Sequence, residues 1–308
     1  MKTYRFFISL SLLVAASVLS SSCDTVIDVE LDSPIPTFSV DAFLTDEPKT
    51  QKISLYFSQG YFDNSPFTPA SSANVVVLNT TSGVSYNFTE SNTAGTYTWT
   101  SPDGEPIGQV GDAFQLSINH NGNNYAATSA MGRVPEINDI VFSREEGIFG
   151  GDDFNQARIL ARDFGGVGDT YWIKAFKNGE FLDDPENINI AYDAGESRGA
   201  QNDGGNFEAD IRSNINPTND DETYELGDTV RVEIHSITEE TFFYLSLIAE
   251  VINRPGGFAE LFAEPLSNID SNIRVVEKSE NTVLGFFSVS AVNYMEVVFT
   301  EDRLINME

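Results

Sequence analysis

The sequence predicts a mainly β protein: an N-terminal immunoglobulin- or transthyretin-like β-sandwich, then a second β-rich domain that carries one packed α-helix. Two observations predict this fold class. Short segments of alternating apolar and polar residues recur along the chain between polar turns, which is typical of half-buried strands in a sandwich. One segment, near residues 238–254, has the period and length of a packed helix.

The alternating pattern predicts seven or eight short strands in the first domain, which we place at residues 23–133. The run Met131-Gly132-Arg133-Val134-Pro135 interrupts the pattern, so the second domain is expected to span residues 134–308. The first-domain strands are centred on Ile27/Val29/Leu31, Phe38/Val40/Ala42, Ile53/Leu55/Phe57, residues 73–79, Val84/Tyr86/Phe88, Tyr97/Trp99, Phe114/Leu116/Ile118 and Tyr125/Ala127.

The clearest local prediction is a two-residue hairpin turn at Asn121-Gly122. Asparagine and glycine tolerate the positive φ angles of a type I′ turn, and apolar residues alternate on both sides of the pair. Residues 114–118 and 125–127 are therefore predicted to pair as neighbouring antiparallel strands.

The second domain is predicted to contain further strands around an irregular region. The region from Asn178 to Gly227 is acidic and rich in glycine and asparagine, with little hydrophobic period, so we expect it to be a long loop with a functional role or mobility. The strands are predicted at residues 137–143, 157–163, 170–176 and 229–234, with two strands at 282–289 and 294–299 closing the domain.

The helix near residues 238–254 is predicted from its apolar period and its N-terminal signals. Ser236 and Glu239 have capping-box spacing, and Ile237 and Phe242 have the spacing of a hydrophobic staple around Thr238. Apolar residues cover a wide face, so the helix is expected to pack against a sheet. That face comprises Phe242, Leu245, Ala249 and Ile252, with Phe243, Leu247 and Val251 on its flank.

The charge balance excludes several classes of function. The chain has 47 acidic and 17 basic residues and a formal net charge of −30, which argues against nucleic-acid binding and against simple adsorption to an anionic membrane. A single cysteine, Cys23, excludes an intrachain disulfide and a zinc ribbon. The 41% hydrophobic content is nevertheless sufficient for a folded core.

Residues 1–22 are predicted to be a signal peptide. Lys2 and Arg5 precede an apolar run from Phe6 to Leu19, which suits the central region of a signal peptide and is short for a membrane span. Three serines then precede Cys23, so this cysteine is predicted to be diacylated as the mature N-terminus, anchoring the protein to the membrane. Ser20 departs from the usual aliphatic residue of a lipobox, and an ordinary secretory signal with an incidental cysteine is the alternative.

The residues indicate no catalytic or metal centre, so we expect no catalytic residue, cofactor or resident metal. The two histidines, His120 and His235, lack a nucleophile motif and are expected to be structural. Asp163-Phe164-Gly165 and the glycine-rich residues after it lack the context of a phosphate site and are interpreted as a coincidence and a turn. Carboxylate pairs at Asp152/Asp153, Asp183/Asp184 and Asp220/Asp221 are interpreted as solvated charge, with calcium binding left open.

An aromatic segment at residues 61–67 is the candidate contact for a ligand or partner. It places Tyr61, Phe62 and Phe67 between two predicted strands. Exposed aromatic side chains are frequent in binding surfaces, whereas burial against the second domain is the structural alternative.

Seven segments along the mature chain carry a resemblance to a known family. They are Cys23 with residues 26–29, then Phe38–Asp46, Val134–Ile140, Asp169–Trp172, Val232–Ile237, Pro265–Ile269 and Leu284–Ala291. In their order and spacing they resemble the lipoprotein family of Bacteroidota-type bacteria catalogued as domain of unknown function 4249. Asp163-Phe164 departs from the Asp-Pro that the family often has.

The resemblance implies an outer-membrane lipoprotein, facing the periplasm or the cell exterior and often encoded beside a TonB-dependent transporter. The resemblance assigns no catalytic residue to this chain. The leading hypothesis is therefore a non-enzymatic, lipid-anchored accessory protein that binds a ligand or partner during nutrient uptake. The alternatives are a secreted glycan hydrolase with a carboxylate pair, and a structural or adhesive surface lipoprotein.

Overall fold

The described residues of the first half form eight strands, seven of which the alternating pattern predicts, whereas the two-residue strand Thr68–Pro69 is not predicted. The computed structural model describes residues 35–60, 63, 65–145, 153–199, 202–218, 223–254, 269–276 and 282–305. The strands are β1 (Phe38–Thr45), β2 (Gln51–Phe57), β3 (Thr68–Pro69), β4 (Asn74–Asn79), β5 (Ser85–Glu90), β6 (Thr96–Trp99), β7 (Ala113–His120) and β8 (Asn123–Ala130).

The second half adds nine strands and two helices in the described residues. The predicted strand centred on Ile27, Val29 and Leu31 lies outside those residues. The strands are β9 (Ile137–Glu145), β10 (Phe154–Ala161), β11 (Thr170–Lys177), β12 (Glu180–Phe181), β13 (Asn189–Tyr192), β14 (Thr229–Ile237), β15 (Arg274–Val275), β16 (Leu284–Ser290) and β17 (Val292–Val298), and the helices are α1 (Ala209–Ser213) and α2 (Glu239–Ile252).

The first sheet curls until its two ends meet. Its strand order is β15-β8-β7-β4-β5-β6-β2-β1-β16, with β3 beside β2. The backbone N–H of Val289 in β16 donates a hydrogen bond to Ser129 Oγ in β8 at 3.0 Å, so strands from opposite ends of the order are in contact. One apolar core, with Leu116 and Val289 among its members, fills the interior. The mainly β prediction is therefore confirmed.

The predicted hairpin is present. β7 and β8 are antiparallel and joined by Asn121 and Gly122, whose φ angles are +50° and +80°. Both angles lie in the left-handed region that a type I′ turn requires.

The second half has its own sheet and core. β12-β11-β14-β17 form an antiparallel sheet in which β13 also pairs with β11, and β9 pairs with β10 in a separate two-stranded sheet. Ile173 of β11 and Ile234 of β14 face the buried side chains of Ile140 and Ile159 from β9 and β10. The opposite face of the larger sheet carries Trp172, Lys174, Glu233 and His235, among other side chains.

Residues 178–227 pack more closely than their weak hydrophobic period suggests. Phe207, Ile211 and Tyr224 are buried in the second core. The side-chain amide of Asn216 binds both the N–H and the C=O of Ala157, at 2.7 and 3.0 Å. The described part of this region is therefore core-forming, because amide side chains satisfy an irregular backbone while isolated aromatic residues fill the interior.

Helix α2 packs on the outer face of the second sheet through Phe242 and Leu245, which contact Tyr192 and Ile237. Its N-cap is Thr238, whose Oγ1 accepts a hydrogen bond from the Thr241 N–H at 3.2 Å. The predicted staple spacing of Ile237 and Phe242 fits this cap.

The predicted capping box of Ser236 and Glu239 is wrong. β14 continues to Ile237, so Ser236 lies within a strand. Its Oγ instead accepts a hydrogen bond from the Ala291 N–H at 2.9 Å.

Two late segments join the first sheet. β16 pairs in parallel with β1, and β15 pairs with β8, although both follow the boundary that we placed after Arg133. The domain division itself stays a prediction. Among the described residues, none of the helices combines the length and the apolarity needed to cross a bilayer.

Candidate functional site

A cavity of about 620 Å³ opens between helix α2 and the β8–β15 end of the first sheet. We call it the α2 groove. The small side chains of Ala126 and Thr128 from β8 line it, together with Arg274 and Val276 at β15. The groove exists because α2 rests on the second sheet through Phe242 and Leu245, which leaves its neighbouring face directed at the first sheet.

The wall of the α2 groove is apolar and incompletely covered. Phe243, Leu247 and Val276 are 43%, 44% and 64% exposed. The ring of Tyr244 stacks on the buried ring of Phe286 with centroids 4.4 Å apart, and burial raises the pKa of Tyr244 to about 12. Tyr244 is therefore a neutral phenol at physiological pH. Large apolar side chains left half-exposed around one cavity are typical of a binding surface.

Charged residues of both signs line the same groove. They are Glu240 in the first turn of α2, Asp270, and Arg274. Within the described part of the chain, the side chains of these three residues form no hydrogen bond or ion pair with one another or with other residues. The groove thus combines apolar contact area with charges that are available to a ligand.

Two further polar residues of the groove have structural partners. Ser271 Oγ donates a hydrogen bond to the Gly285 C=O at 2.6 Å and accepts one from the Ile273 N–H at 3.1 Å. The Asn272 amide binds the C=O and N–H of Phe287 at 2.7 and 3.0 Å. These contacts hold the segment before β15 against β16 and so shape one side of the groove.

A second cavity, of about 480 Å³, is polar and acidic. Glu186, Glu196 and Asp210 line it, near β13 and α1. The amide of Asn189, which also lines it, donates to the backbone carbonyls of Ile211 and Asn214 at 2.8 and 3.0 Å.

Three carboxylates, of Asp163, Asp169 and Asp193, approach within 4.8 Å of one another. Asp169 forms a bidentate pair with Arg133, and Asp163 accepts a hydrogen bond from the Tyr171 hydroxyl at 2.6 Å. Asp193 Oδ1 accepts hydrogen bonds from the N–H groups of Gly168 and Asp169, at 2.7 and 3.0 Å. Protein groups therefore neutralise the charge of the cluster or occupy many of its carboxylate oxygens. The cluster also connects Arg133 to the second half of the chain.

The Asp163-Phe164-Gly165 tripeptide belongs to that connection. The guanidinium of Arg133 lies 4.7 Å from the centre of the Phe164 ring and donates to the Gly165 C=O at 3.0 Å. Burial raises the pKa of Asp163 despite its hydrogen bond from Tyr171. These contacts support a structural interpretation of the tripeptide.

A charged network occupies the outer face of the second sheet. His235 Nε2 lies 2.8 Å from Glu233 Oε2, and the Arg231 guanidinium pairs with the other carboxylate oxygen at 2.8 Å. Burial opposes ionisation of Glu233, but the bonds from His235 and Arg231 outweigh it and lower the pKa of Glu233 to about 2. Burial lowers the pKa of His235 to about 4, so at neutral pH the uncharged imidazole donates to the carboxylate.

Lys174 lies beside this network and opposite Glu233 in the β11–β14 pairing. Its Nζ is 3.7 Å from the centre of the Trp172 ring, which is a cation–π contact. Burial lowers the pKa of Lys174 to about 8 against the attraction of Glu233.

The structure describes some of the predicted site residues and not others. Cys23, Tyr61 and Phe62 lie outside the described residues. Phe67 is 58% exposed, and its ring lies 5.2 Å from that of Tyr56, so its role as a ligand or partner contact stays a prediction. His120 is buried with its ring stacked on Phe38 at 5.5 Å.

The predicted carboxylate pairs do not coincide with the cluster that the structure forms. Asp152, Asp220 and Asp221 lie outside the described residues, and the Asp184 carboxylate accepts a hydrogen bond from the Thr218 hydroxyl. Of the three aspartates that do approach one another, Asp163 and Asp169 are six positions apart and Asp193 follows Asp169 by 24 positions, so no local motif indicates the cluster.

Sequence reasoning did not identify the α2 groove. The sequence feature that could have indicated the groove is the width of the apolar face of the helix. Phe243 and Leu247 extend this face beyond the part that one sheet covers. Arg274 and Val276 carry no such signal, since only chain folding brings them opposite α2.

Comparison with known families identifies the family of this chain. The model of the family described as Domain of unknown function (DUF4249) matches residues 24–295, which is most of the chain. No curated protein matches the chain.

Proposed function

We propose that this chain, which belongs to the family of domain of unknown function 4249, is a lipid-anchored, non-catalytic binding protein of the outer membrane. Its ligand lies in the α2 groove, and its partner in nutrient uptake is a TonB-dependent transporter. The observation that carries the proposal is the groove itself, an apolar cavity of about 620 Å³ with available charges at its edge.

The energetics of the groove favour binding. Phe243, Leu247 and Val276 leave large parts of their apolar surface in water. Covering a half-exposed side chain of this size contributes about 1 kcal/mol, and three together make a substantial part of the affinity of a small ligand. The volume also lies in the range of pockets that enclose small molecules.

The polar groups around the groove support a binding role over a catalytic one. Ser271 and Asn272 are committed to the backbone of Gly285 and Phe287. Glu233 and His235 form a buried acid–base pair on the second sheet, and the Glu233 carboxylate also binds Arg231.

The test uses 8-anilinonaphthalene-1-sulfonate, a fluorescent probe of apolar surfaces. We expect the purified full-length chain to bind the dye, and Leu247→Asp to weaken that binding at least tenfold, because it removes apolar contact and adds a carboxylate near the sulfonate. The matched control is Val84→Asp, at a residue of similar exposure (47% against 44%) in the β4–β5 turn.

Circular dichroism confirms that both variants are folded. Equal dye affinity in Leu247→Asp, Val84→Asp and the natural chain would exclude the α2 groove as the binding site.

The acidic cavity supports a second candidate function, glycan hydrolysis by a carboxylate pair. The carboxylates of Glu186, Glu196 and Asp210 line one cavity, and this alternative requires such acidic groups in a pocket. Release of reducing sugar from a glycan panel, abolished by Asp210→Asn, would replace the binding proposal. The adhesive alternative predicts no small-molecule cavity, and the α2 groove weighs against it.

A further inference from the structure

Arg274 lines the α2 groove without a carboxylate partner among the described residues. The chain has 47 acidic and 17 basic residues, so carboxylates outnumber the cations that could pair with them. Arg133, Arg231 and Arg303 each bind a carboxylate at 2.6 to 2.8 Å. The guanidinium of Arg274 pairs with no carboxylate of the described chain and instead lines the apolar α2 groove.

Glu240 and Asp270 line the same cavity and are likewise without a cation from the described residues. Burying either carboxylate or the guanidinium under a ligand costs free energy unless the ligand supplies the opposite charge. These three side chains are exposed, and a ligand with both an anionic and a cationic group complements them better than an uncharged one.

The geometry of a guanidinium narrows the choice of anion. Its planar N–H fork matches a carboxylate with two parallel hydrogen bonds. Carboxylates such as those of Glu240 and Asp270 accept hydrogen bonds from an ammonium group. A molecule with a carboxylate, an ammonium and apolar substituents between them satisfies all three residues.

We propose that the ligand of the α2 groove is a short apolar peptide with free amino and carboxyl termini. The peptide carboxylate binds Arg274, its ammonium lies between Glu240 and Asp270, and its side chains pack on Phe243, Leu247 and Val276. This inference rests on the proposed function, since it names the ligand class of the same site.

Other apolar ligands fit the charges less well. A fatty acid pairs with Arg274 but offers no cation to Glu240 and Asp270. An uncharged oligosaccharide leaves all three charges without a partner. Trileucine therefore serves as the probe, with N-acetyl-trileucine and trileucine amide as forms that each lack one terminal charge.

Isothermal titration calorimetry on the purified full-length chain tests the proposal. We expect trileucine to bind, and each capped form to bind at least tenfold more weakly. Triglycine, which has the termini without the apolar side chains, is expected to bind at least tenfold more weakly as well.

Variants assign each terminus to its residue. Arg274→Gln is expected to remove the preference for the free acid over the amide while keeping the preference for the free amine. The double variant Glu240→Gln with Asp270→Asn is expected to do the reverse. Arg198→Gln is the matched control, because Arg198 pairs with Glu239 in the same helical turn and does not line the groove.

The outcomes separate this inference from the proposed function. Equal binding of trileucine and both capped forms, with dye binding still lost in Leu247→Asp, overturns the peptide assignment and leaves the groove as a binding site. Tight binding of laurate that Arg274→Gln abolishes, without competition from trileucine, replaces the peptide by a fatty acid. Absence of trileucine, laurate and dye binding overturns both proposals.

Discussion

At the scale of single residues, the buried pair of His235 and Glu233 is expected to make stability depend on pH. Arg231, Glu233 and His235 alternate along β14 and share one face, so the carboxylate lies between a guanidinium and an imidazole. Burial lowers the pKa of His235 from 6.5 to about 4. The folded state therefore takes up this proton at a lower pH than the unfolded state does.

The free energy of unfolding is expected to fall as pH decreases through this range. Between pH 6.5 and 4.5 the imidazole of His235 binds a proton in the unfolded chain and stays uncharged in the folded chain. This difference lowers the free energy of unfolding by about 2–3 kcal/mol. Above pH 6.5 the contribution of His235 is fully present. Urea denaturation at pH 7.0 and 4.5, on the natural chain and on His235→Gln, measures the change, and the variant should lose less stability over this interval.

Nuclear magnetic resonance gives a direct control, because the chain has two histidines. His120→Gln assigns the remaining imidazole signal to His235. Titration of that signal near pH 6.5 would contradict the burial that lowers its pKa.

At the scale of secondary-structure elements, β16 and α2 show how local pattern and long-range packing combine. β16 has the sequence of a buried strand, but its partner is β1, some 245 positions earlier, in a parallel pair. Gly285 lies opposite Val40 with a φ of +86°, and a Cβ atom there would lie 1.9 Å from the Val40 carbonyl oxygen. Only glycine allows this close approach of the two backbones.

Gly285→Ala is expected to reduce the free energy of unfolding by about 2–5 kcal/mol. Positive φ costs a residue with a Cβ about 1–2 kcal/mol, and the clash with Val40 adds a further overpacking penalty of about 1–3 kcal/mol. Gly83→Ala is the matched control, since Gly83 has a φ of +77° and no atom within 4 Å of the new Cβ. Gly83→Ala should reduce the free energy of unfolding by about 1–2 kcal/mol, because it carries only the cost of the positive φ angle.

Urea denaturation of both variants separates the two costs. Equal losses for Gly285→Ala and Gly83→Ala would mean that the β1–β16 contact relaxes without penalty.

Helix α2 divides its apolar residues between two neighbours. Phe242 and Leu245 contact the second sheet, whereas Phe243 and Leu247 line the groove beside the first sheet. The apolar face of α2 is therefore wider than the second sheet covers. The uncovered part of that face forms one wall of the candidate site.

At the scale of the whole molecule, net charge and anchoring are linked. The proposed cleavage after Ser22 would remove the two basic residues Lys2 and Arg5 and change the formal charge from −30 to −32. An anionic membrane repels a protein of this charge, so the proposed anchoring calls for the covalent lipid that we predict at Cys23.

Metabolic labelling with an alkyne fatty acid is expected to label the natural chain and not Cys23→Ala. The mature protein should also copurify with a TonB-dependent transporter from native membranes. Label that persists in Cys23→Ala would contradict acylation at Cys23. A purification without any transporter, together with normal growth of a deletion strain on all tested nutrients, would count against the uptake role.

Much of the fold follows from the sequence because strand and helix patterns report locally which side chains are buried. The alternation in β1, β2 and β7, the Asn-Gly turn and the staple at Thr238 are all readable within ten residues. The family assignment also rests on the sequence and holds for residues 24–295.

The tertiary structure decided which elements meet. Alternation in β16 indicates a buried strand but not its pairing with β1. The hydrophobic pattern of a strand reports which face is buried and does not depend on which strand pairs with it. The α2 groove likewise joins residues from 126 to 286, and Arg274 differs from other surface arginines only in the surroundings that folding gives it. The sequence determined the β class, the helix and the family, whereas the site arose from long-range contacts that no local period encodes.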